Sequence, residues 1–336
     1  MKAAILLYTY AGSSYRGAKC AMEVFNFVFP FLGLDIPSHV TIKDWVEKAG
    51  LDVLCGKKET LDDYAVIVDE SITIAEHIIL LTAAVPARHE GQPLTFADAE
   101  IVDIDVAGSH KGGDVKEAMD RTTKELGKAP EYAVTDNGRN LVKGLADAGI
   151  DNHRDISHTF GTYLKAIYGA DEEFHTLTKA IGDARHFALT DVDYLMPNNM
   201  RAIARWMNVF EWARWAKDML EAEHKLRPKE KKMYSFLWEH GALVEELNEV
   251  MTCLRKILEN CKSRGLSRKS ARECTSIINQ ELMGRGDRLT RLGEMMPGYF
   301  ATEVSLLKNK DLLRKRIERT QRALDKLNAR LFVAMC

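Results

Sequence analysis

The chain has 336 residues and is 46% hydrophobic, enough for two domains or for one large domain carrying an insertion. Its six cysteines form no CxxC pair, which speaks against a zinc knuckle or a disulfide framework and for reduced thiols in a cytoplasm. The formal net charge of −2 hides an asymmetry: residues 225–336 hold 24 Lys+Arg against 14 Asp+Glu, which leaves 23 against 35 for residues 1–224 out of totals of 47 and 49. A basic back part suits a surface facing a polyanion, and it equally suits a solvated helical surface.

Residues 1–57 read as helical. The opening MKAAILLYTYAG sets Lys2 before an apolar run, but no small-residue cleavage site follows, so secretion is not expected. SSYRGAKCAMEVFNFV offers Ser13 or Ser14 as a cap, and VFNFVFPFLGL is too short to span a bilayer and contains Pro30. PSHVTIKDWVEKAGLDVL reads as a second helix, capped by Ser38 or Thr41 and ended by Gly50. Two short helices joined by a turn suggest a helix-turn-helix with Arg16, Thr41, Lys43 and Lys48 facing DNA. An ordinary helical hairpin with Trp45 in its core fits the same spacing.

Residues 58–165 change period. Tyr64–Val68 is a continuous, β-branched-rich run ending at Asp69, the signature of a strand buried on both faces. Glu76–Ala84 and Ala99–Val106 read as two more strands, with short connections that favour antiparallel pairing. GGDVKEAMDRTTKELG is a helix, Tyr132–Thr135 a fourth strand, GRNLVKGLADAG a helix ended by Gly149, and NHRDISH a short fifth strand. The order βββ-α-β-α-β builds a mixed sheet in which three antiparallel strands are extended by two parallel ones. Strands one and four are then neighbours, and Asp69 and Asp136, each one step past its strand, are adjacent. A lone Asp136 would serve equally as a helix N-cap. Two adjacent carboxylates can instead hold two Mg²⁺ or Mn²⁺ ions about 4 Å apart. Hard oxygen ligands suit those cations. Asp155, in the fifth strand, is a candidate auxiliary ligand, and also an ordinary strand-end residue. His153 and His158 have no cysteine near them, so structural zinc is not expected. SHKGGDV does not fit the spacing of a phosphate-binding loop.

Residues 166–305 show apolar three/four spacing throughout and are expected to be helical. In 306–336, Leu313, Ile317, Thr320, Leu324, Leu327 and Leu331 alternate steps of four and three, a short coiled-coil seam that carries the basic run Arg314, Lys315 and Arg316.

VIVDES, followed 67 residues later by VTDNGRNL on this strand order, resembles the RNase H-like catalytic core of DDE transposases. YRGAKCAMEVF and GLDIPSHVTIKDWVEKAGL resemble the helix-turn-helix arm of bacterial insertion-sequence transposases. DISHTFGTYLKAIYG and LMPNNMRAIARWMNVFEWARWA resemble the helical insertion after the second acid. The resemblance covers roughly residues 12–260. It implies an α/β, RNase H-like five-stranded mixed sheet, with an N-terminal helix-turn-helix-like segment and a large C-terminal all-helical region. It implies metal-dependent phosphodiester cleavage and strand transfer, with Asp69 and Asp136 as the first two catalytic acids and metal ligands. The partners implied are element-end and target DNA and further copies of the chain assembled on it, in a bacterial cytoplasm at the nucleoid and away from any membrane. The family's third acid, usually a Glu within an Asp/Glu-Ser pair before Phe-Gly and a basic residue, has no counterpart motif. Glu211, Glu303 and Glu318 lie on helical stretches without it. Two alternatives therefore stand beside an active transposase: a truncated or decayed, non-catalytic DNA-binding or oligomerising remnant, and an RNase H-type nuclease.

Overall fold

A computed structural model describes residues 1–58, 63–74, 76–87, 94–191, 195, 206 and 209–307. The N-terminal segment forms α1 (Lys2–Thr9), α2 (Tyr15–Val28) and α3 (His39–Cys55). Ser14 caps α2 by accepting from the Gly17 N–H, and Ser38 caps α3 by accepting from the Thr41 N–H. The three helices pack around Ala4, Ala18, Met22 and Ile42, with Trp45 partly buried against them. Trp45 thus lies at the rim of this small core rather than at its centre. Gly50 does not end the second helix as expected; α3 runs through it to Gly56. A lone helical glycine costs only about 1 kcal/mol, and this one has enough helix on either side to absorb that.

The sheet has the order β3-β2-β1-β4-β5. Its strands are β1 (Tyr64–Ile74), β2 (His77–Pro86), β3 (Glu100–Ala107), β4 (Ala133–Thr135) and β5 (Asn152–Arg154). β1–β2 and β2–β3 are antiparallel, and β1–β4 and β4–β5 are parallel. This is the mixed α/β sheet expected, with α4 (Gly112–Leu126) between β3 and β4 and α5 (Arg139–Asp147) between β4 and β5. The two helices pack on one face, where Tyr64, Val66 and Val68 meet Val115, Met119 and Leu145.

Three details differ from expectation. β1 does not stop at Asp69 but continues to Ile74, because β2 goes on pairing with it; Asp69 lies opposite Leu81, inside the strand. β1 is not buried on both faces, since Ile67 is 43% exposed. The helices cover one face only at this strand, and alternation turns Ile67 and Asp69 to the other. The fifth strand is shorter than NHRDISH, because the Asp155 side chain accepts from the His158 N–H and starts a helix, α6 (Ile156–Tyr168).

The rest of the described chain is helical: α7 (Glu172–Asp191), α8 (Val209–Glu221), α9 (Pro228–Met233), α10 (Ser235–Glu239), α11 (Gly241–Arg264), α12 (Arg268–Glu281) and α13 (287–307). They share one core, and α6 contributes Phe160 and Leu164 to it. The helix that leaves β5 therefore joins the sheet to the helical region. The coiled-coil seam with Arg314, Lys315 and Arg316 lies outside the described residues, as does Glu318.

The α4–α5 contact is the tightest approach beneath the sheet. A Cβ on Gly144 would sit 2.5 Å from Val115 Cβ and 2.6 Å from the Gly112 carbonyl oxygen. Backbone cannot yield as a flexible side-chain end can. Gly144→Ala should therefore destabilise by about 1–3 kcal/mol, the usual cost of overpacking. Chemical denaturation with the slope held common would measure it. A neutral or stabilising result would show that α5 is free to shift.

Candidate functional site

The register of the parallel strands builds the site. Val66 pairs with Ala133 and Ile67 with Val134 across β1–β4. Two residues further along, Asp69 and Asp136 are opposite one another. Ala133 pairs with Asn152 and Thr135 with Arg154 across β4–β5, so Asp155 follows next to Asp136. Its N–H donates to the Thr135 carbonyl at 2.7 Å, which holds that register past the last strand pair. Neighbouring strands lie about 4.8 Å apart, so three Asp residues stand in one row on three adjacent chains. Alternation puts Asp69 and Asp136 on the face away from α4 and α5, with Ile67, and both are exposed.

Electrostatics agree with this placement. Desolvation raises the pKa of Asp69, and the Asp136 carboxylate raises it further, with a smaller push from Asp155. His158 and the Glu70 N–H act in the opposite sense. The row is thus a site where negative charge is crowded.

Backbone geometry fixes Asp136. Asn137 has φ +71°, the left-handed region that Asn tolerates better than most residues. That turn lets Asp136 Oδ1 accept from the Gly138 N–H at 2.8 Å. Asp136 is therefore not the N-cap of α5; Gly138 holds that position. Thr135 Oγ1 accepts from the Asn137 N–H and donates to Asn152 Oδ1. The Asn152 amide in turn donates to Asn137 Oδ1 at 3.4 Å. Asn140, on the first turn of α5, donates to the Glu70 carboxylate and to the His110 carbonyl. That contact ties the residue after Asp69 to the helix after Asp136.

Two of the three acids engage an oxygen locally, Asp136 with Gly138 and Asp155 with His158. In keeping with that, no set of three or more His, Cys, Asp and Glu side chains among the described residues is drawn together tightly enough to hold a metal ion. The donor chemistry still suits a hard divalent cation, because Asp69, Asp136 and Asp155 present only carboxylate oxygens.

Glu303, on α13, is 1% exposed. It accepts from Arg154 Nε at 2.8 Å and pairs with His153 Nδ1 at 2.8 Å. Tyr299, one turn earlier, donates to the Arg154 carbonyl, and the Arg154 guanidinium lies over its ring. α13 thus grips β5, the strand that leads into Asp155. Sequence reasoning named Glu303 only as one of three acids on helical stretches. The sharper signal was its spacing: buried Met296, Tyr299 and Phe300 set an apolar stripe, and Glu303 occupies the next core position. Glu70 and Asn140 were missed altogether, and no local pattern marks them.

Of the described residues expected to face DNA, three lie on α3 and one on α2. Thr41 and Lys48 are seven residues apart and share a face of α3, but Lys43 falls on the opposite side and pairs with Glu47 at 3.5 Å. Thr41 belongs to the α3 cap through Ser38. Arg16 is exposed on α2.

Burial opposes ionisation of Glu303, yet the hydrogen bonds from His153 and Arg154 prevail and hold its carboxyl below the usual range. A depressed carboxyl stabilises the fold above its unfolded value of about 4.3, and that stability is lost as pH falls through the folded value. Glu303→Ala should cost about 3–5 kcal/mol, because His153 and Arg154 lose their buried partner. Glu303→Gln should be less stable than the wild type at pH 6, with the gap closing below pH 4 in urea titrations. A pH-independent gap would remove charge from the role assigned to Glu303. No protein-family model and no curated protein matches the chain.

Proposed function

We propose that the chain is a DNA transposase of the DDE class, built on an RNase H-like core, in which Asp69 and Asp136 bind Mg²⁺ or Mn²⁺ and cleave phosphodiester bonds. The observation that carries this reading is the row of Asp69, Asp136 and Asp155 on adjacent parallel strands, at the open face of the sheet. Crowding carboxylates opposes ionisation, and Asp69, half-buried beside Asp136, has its pKa raised in the fold. When bound, a pair of divalent cations would stabilise the attacking and leaving oxygens of the phosphodiester. The chain's own part is to fix the acids. The Asn137 turn and the Asn140–Glu70 contact hold Asp136 and Asp69 in register. Asp155 joins them as an auxiliary ligand, carried on the strand that α13 grips. The helical pair α2–α3 would act as the DNA-binding arm in the manner of a helix-turn-helix, although its link spans residues 29–38, well beyond the usual 3–4-residue turn. The basic back part, with Arg314, Lys315 and Arg316, would supply phosphate contacts, and copies of the chain would assemble on the DNA.

One observation favours a second reading, a non-catalytic DNA-binding relative of such enzymes. Glu303 is committed to His153 and Arg154 rather than to Asp69, which removes it as a counterpart of the family's third catalytic acid.

Asp69→Asn and Asp136→Asn should each abolish metal-dependent nicking of supercoiled DNA and weaken Mn²⁺ binding measured by calorimetry. Each keeps side-chain shape and an oxygen acceptor, so the Gly138 contact survives in Asp136→Asn. The pKa of Asp69 is raised in the fold, so its contribution to stability is full below the unfolded value of about 3.9 and lost as pH rises through the folded one. Metal-free Asp69→Asn should accordingly unfold at the same or a slightly higher temperature than the wild type at pH 7. Unchanged Mn²⁺ affinity in either variant would refute the metal-site assignment. A wild type that binds DNA but no metal would select the non-catalytic reading.

A further inference from the structure

α2 is apolar on two opposite sides. Ala18 and Met22 face the three-helix core and are buried. Val24, Phe27 and Val28 lie on the other side, and the 3₁₀ turn Pro30–Leu32 that follows adds Phe31, whose ring meets that of Phe29 edge-on. These residues are 59%, 87%, 55% and 82% exposed. Single exposed apolar residues are ordinary, but two nearly bare phenylalanines four residues apart, in a run with exposed valines, are not.

We propose that this stripe is the interface through which two copies of the chain pair, α2 against α2 about a two-fold axis. Three observations point to a second copy. The first is charge. Residues 24–34, VFNFVFPFLGL, contain no Asp, Glu, Lys or Arg, so the segment can meet its own image without like charges facing each other. A two-fold interface needs that self-complementarity, because each residue meets the same patch on its mate. The second is area. A phenylalanine side chain offers roughly 200 Å², so Phe27 and Phe31, with Phe29 against Phe31, present on the order of 400 Å² of apolar surface. With Val24 and Val28 the stripe offers roughly 500 Å² on each copy, so a two-fold pair would bury about the 1,000 Å² in total that a specific interface has to clear. The third is geometry. Both sides of the stripe belong to a helix held rigidly by Ser14 and by the packing of Ala18 and Met22, while the Leu34 N–H donates to Asn26 Oδ1 and fixes the turn that carries Phe31. The surface is therefore preformed. Nothing in this argument requires the DNA reading.

Sedimentation equilibrium of the full chain without DNA tests it. The wild type should dimerise, and Phe27→Lys and Phe27→Glu should each raise the dissociation constant at least tenfold with unchanged helical circular dichroism. Mixing the two variants one to one should restore a heterodimer, since Lys and Glu then face one another across the axis. That rescue separates loss of an interface from loss of folding. Phe31→Ala, a milder change, should weaken the dimer in the same direction. A wild type that stays monomeric at about 100 μM overturns the proposal, as does a dimer indifferent to all three substitutions. So does a monomer whose stripe binds vesicles of neutral phospholipid, which would make it a lipid contact. So does a wild-type monomer that begins to dimerise only when residues 308–336 are deleted, because the stripe would then be covered from within the chain.

Discussion

Parallel pairing of β1, β4 and β5 is the constraint on which the rest of the site depends. Because the register is continuous from Val66–Ala133 to Thr135–Arg154, an Asp at the corresponding position of each strand is forced into a single row. No side-chain attraction assembles that row. It forms against electrostatic resistance, visible in the raised pKa of Asp69, and the backbone ladder together with the core beneath Val66 and Val68 supplies the opposing stabilisation. A residue arrangement that costs stability in the empty fold is a place where function is a better explanation than packing.

The second dependence runs through β5. It is an edge strand of three residues, too short to hold its own place by pairing. α13 closes over it, with Glu303 against His153 and Arg154 and Tyr299 against the Arg154 carbonyl. The acid row is consequently completed by an element nearly 150 positions away in sequence. The helical region does more than decorate the sheet, since its last described helix determines where Asp155 sits.

Much of this was legible in the sequence, and the limits are physical. The five strands, their mixed pairing and the neighbourhood of Asp69 and Asp136 follow from apolar runs and connection lengths, which are local. The end of β1 was misjudged because Glu70 and the residues after it are held in the strand by pairing with β2, a partner-dependent effect that composition does not carry. NHRDISH was read as strand throughout because the choice between extended chain and helix start turns on one side-chain bond from Asp155 to the His158 N–H. The Glu303 clamp was out of reach for another reason: its partners are contiguous with the sheet in space and remote from it along the chain. The candidate DNA-facing residues were selected by type, while their spacing on α3 already set Lys43 apart from Thr41 and Lys48.

The two tyrosines at the opposite end of the sheet carry a further consequence. Tyr64 donates its hydroxyl hydrogen to the Lys128 carbonyl, and Tyr132 donates to the Ala87 carbonyl. Both bonds bridge the starts of β1 and β4 to neighbouring chain, so that end is stapled by two aromatic side chains, of which Tyr64 is fully buried. Among the described residues, the end with Asp69 and Asp136 is tied by the small polar contacts of Asn137, Asn140 and Asn152. Thermal breathing of the sheet is thus directional, like a fan pivoting near its handle. Amide exchange should be slowest around Val66 and Ala133 and should quicken toward the carboxylates, which leaves the acidic rim able to adjust its spacing by fractions of an ångström without disturbing the fold beneath it.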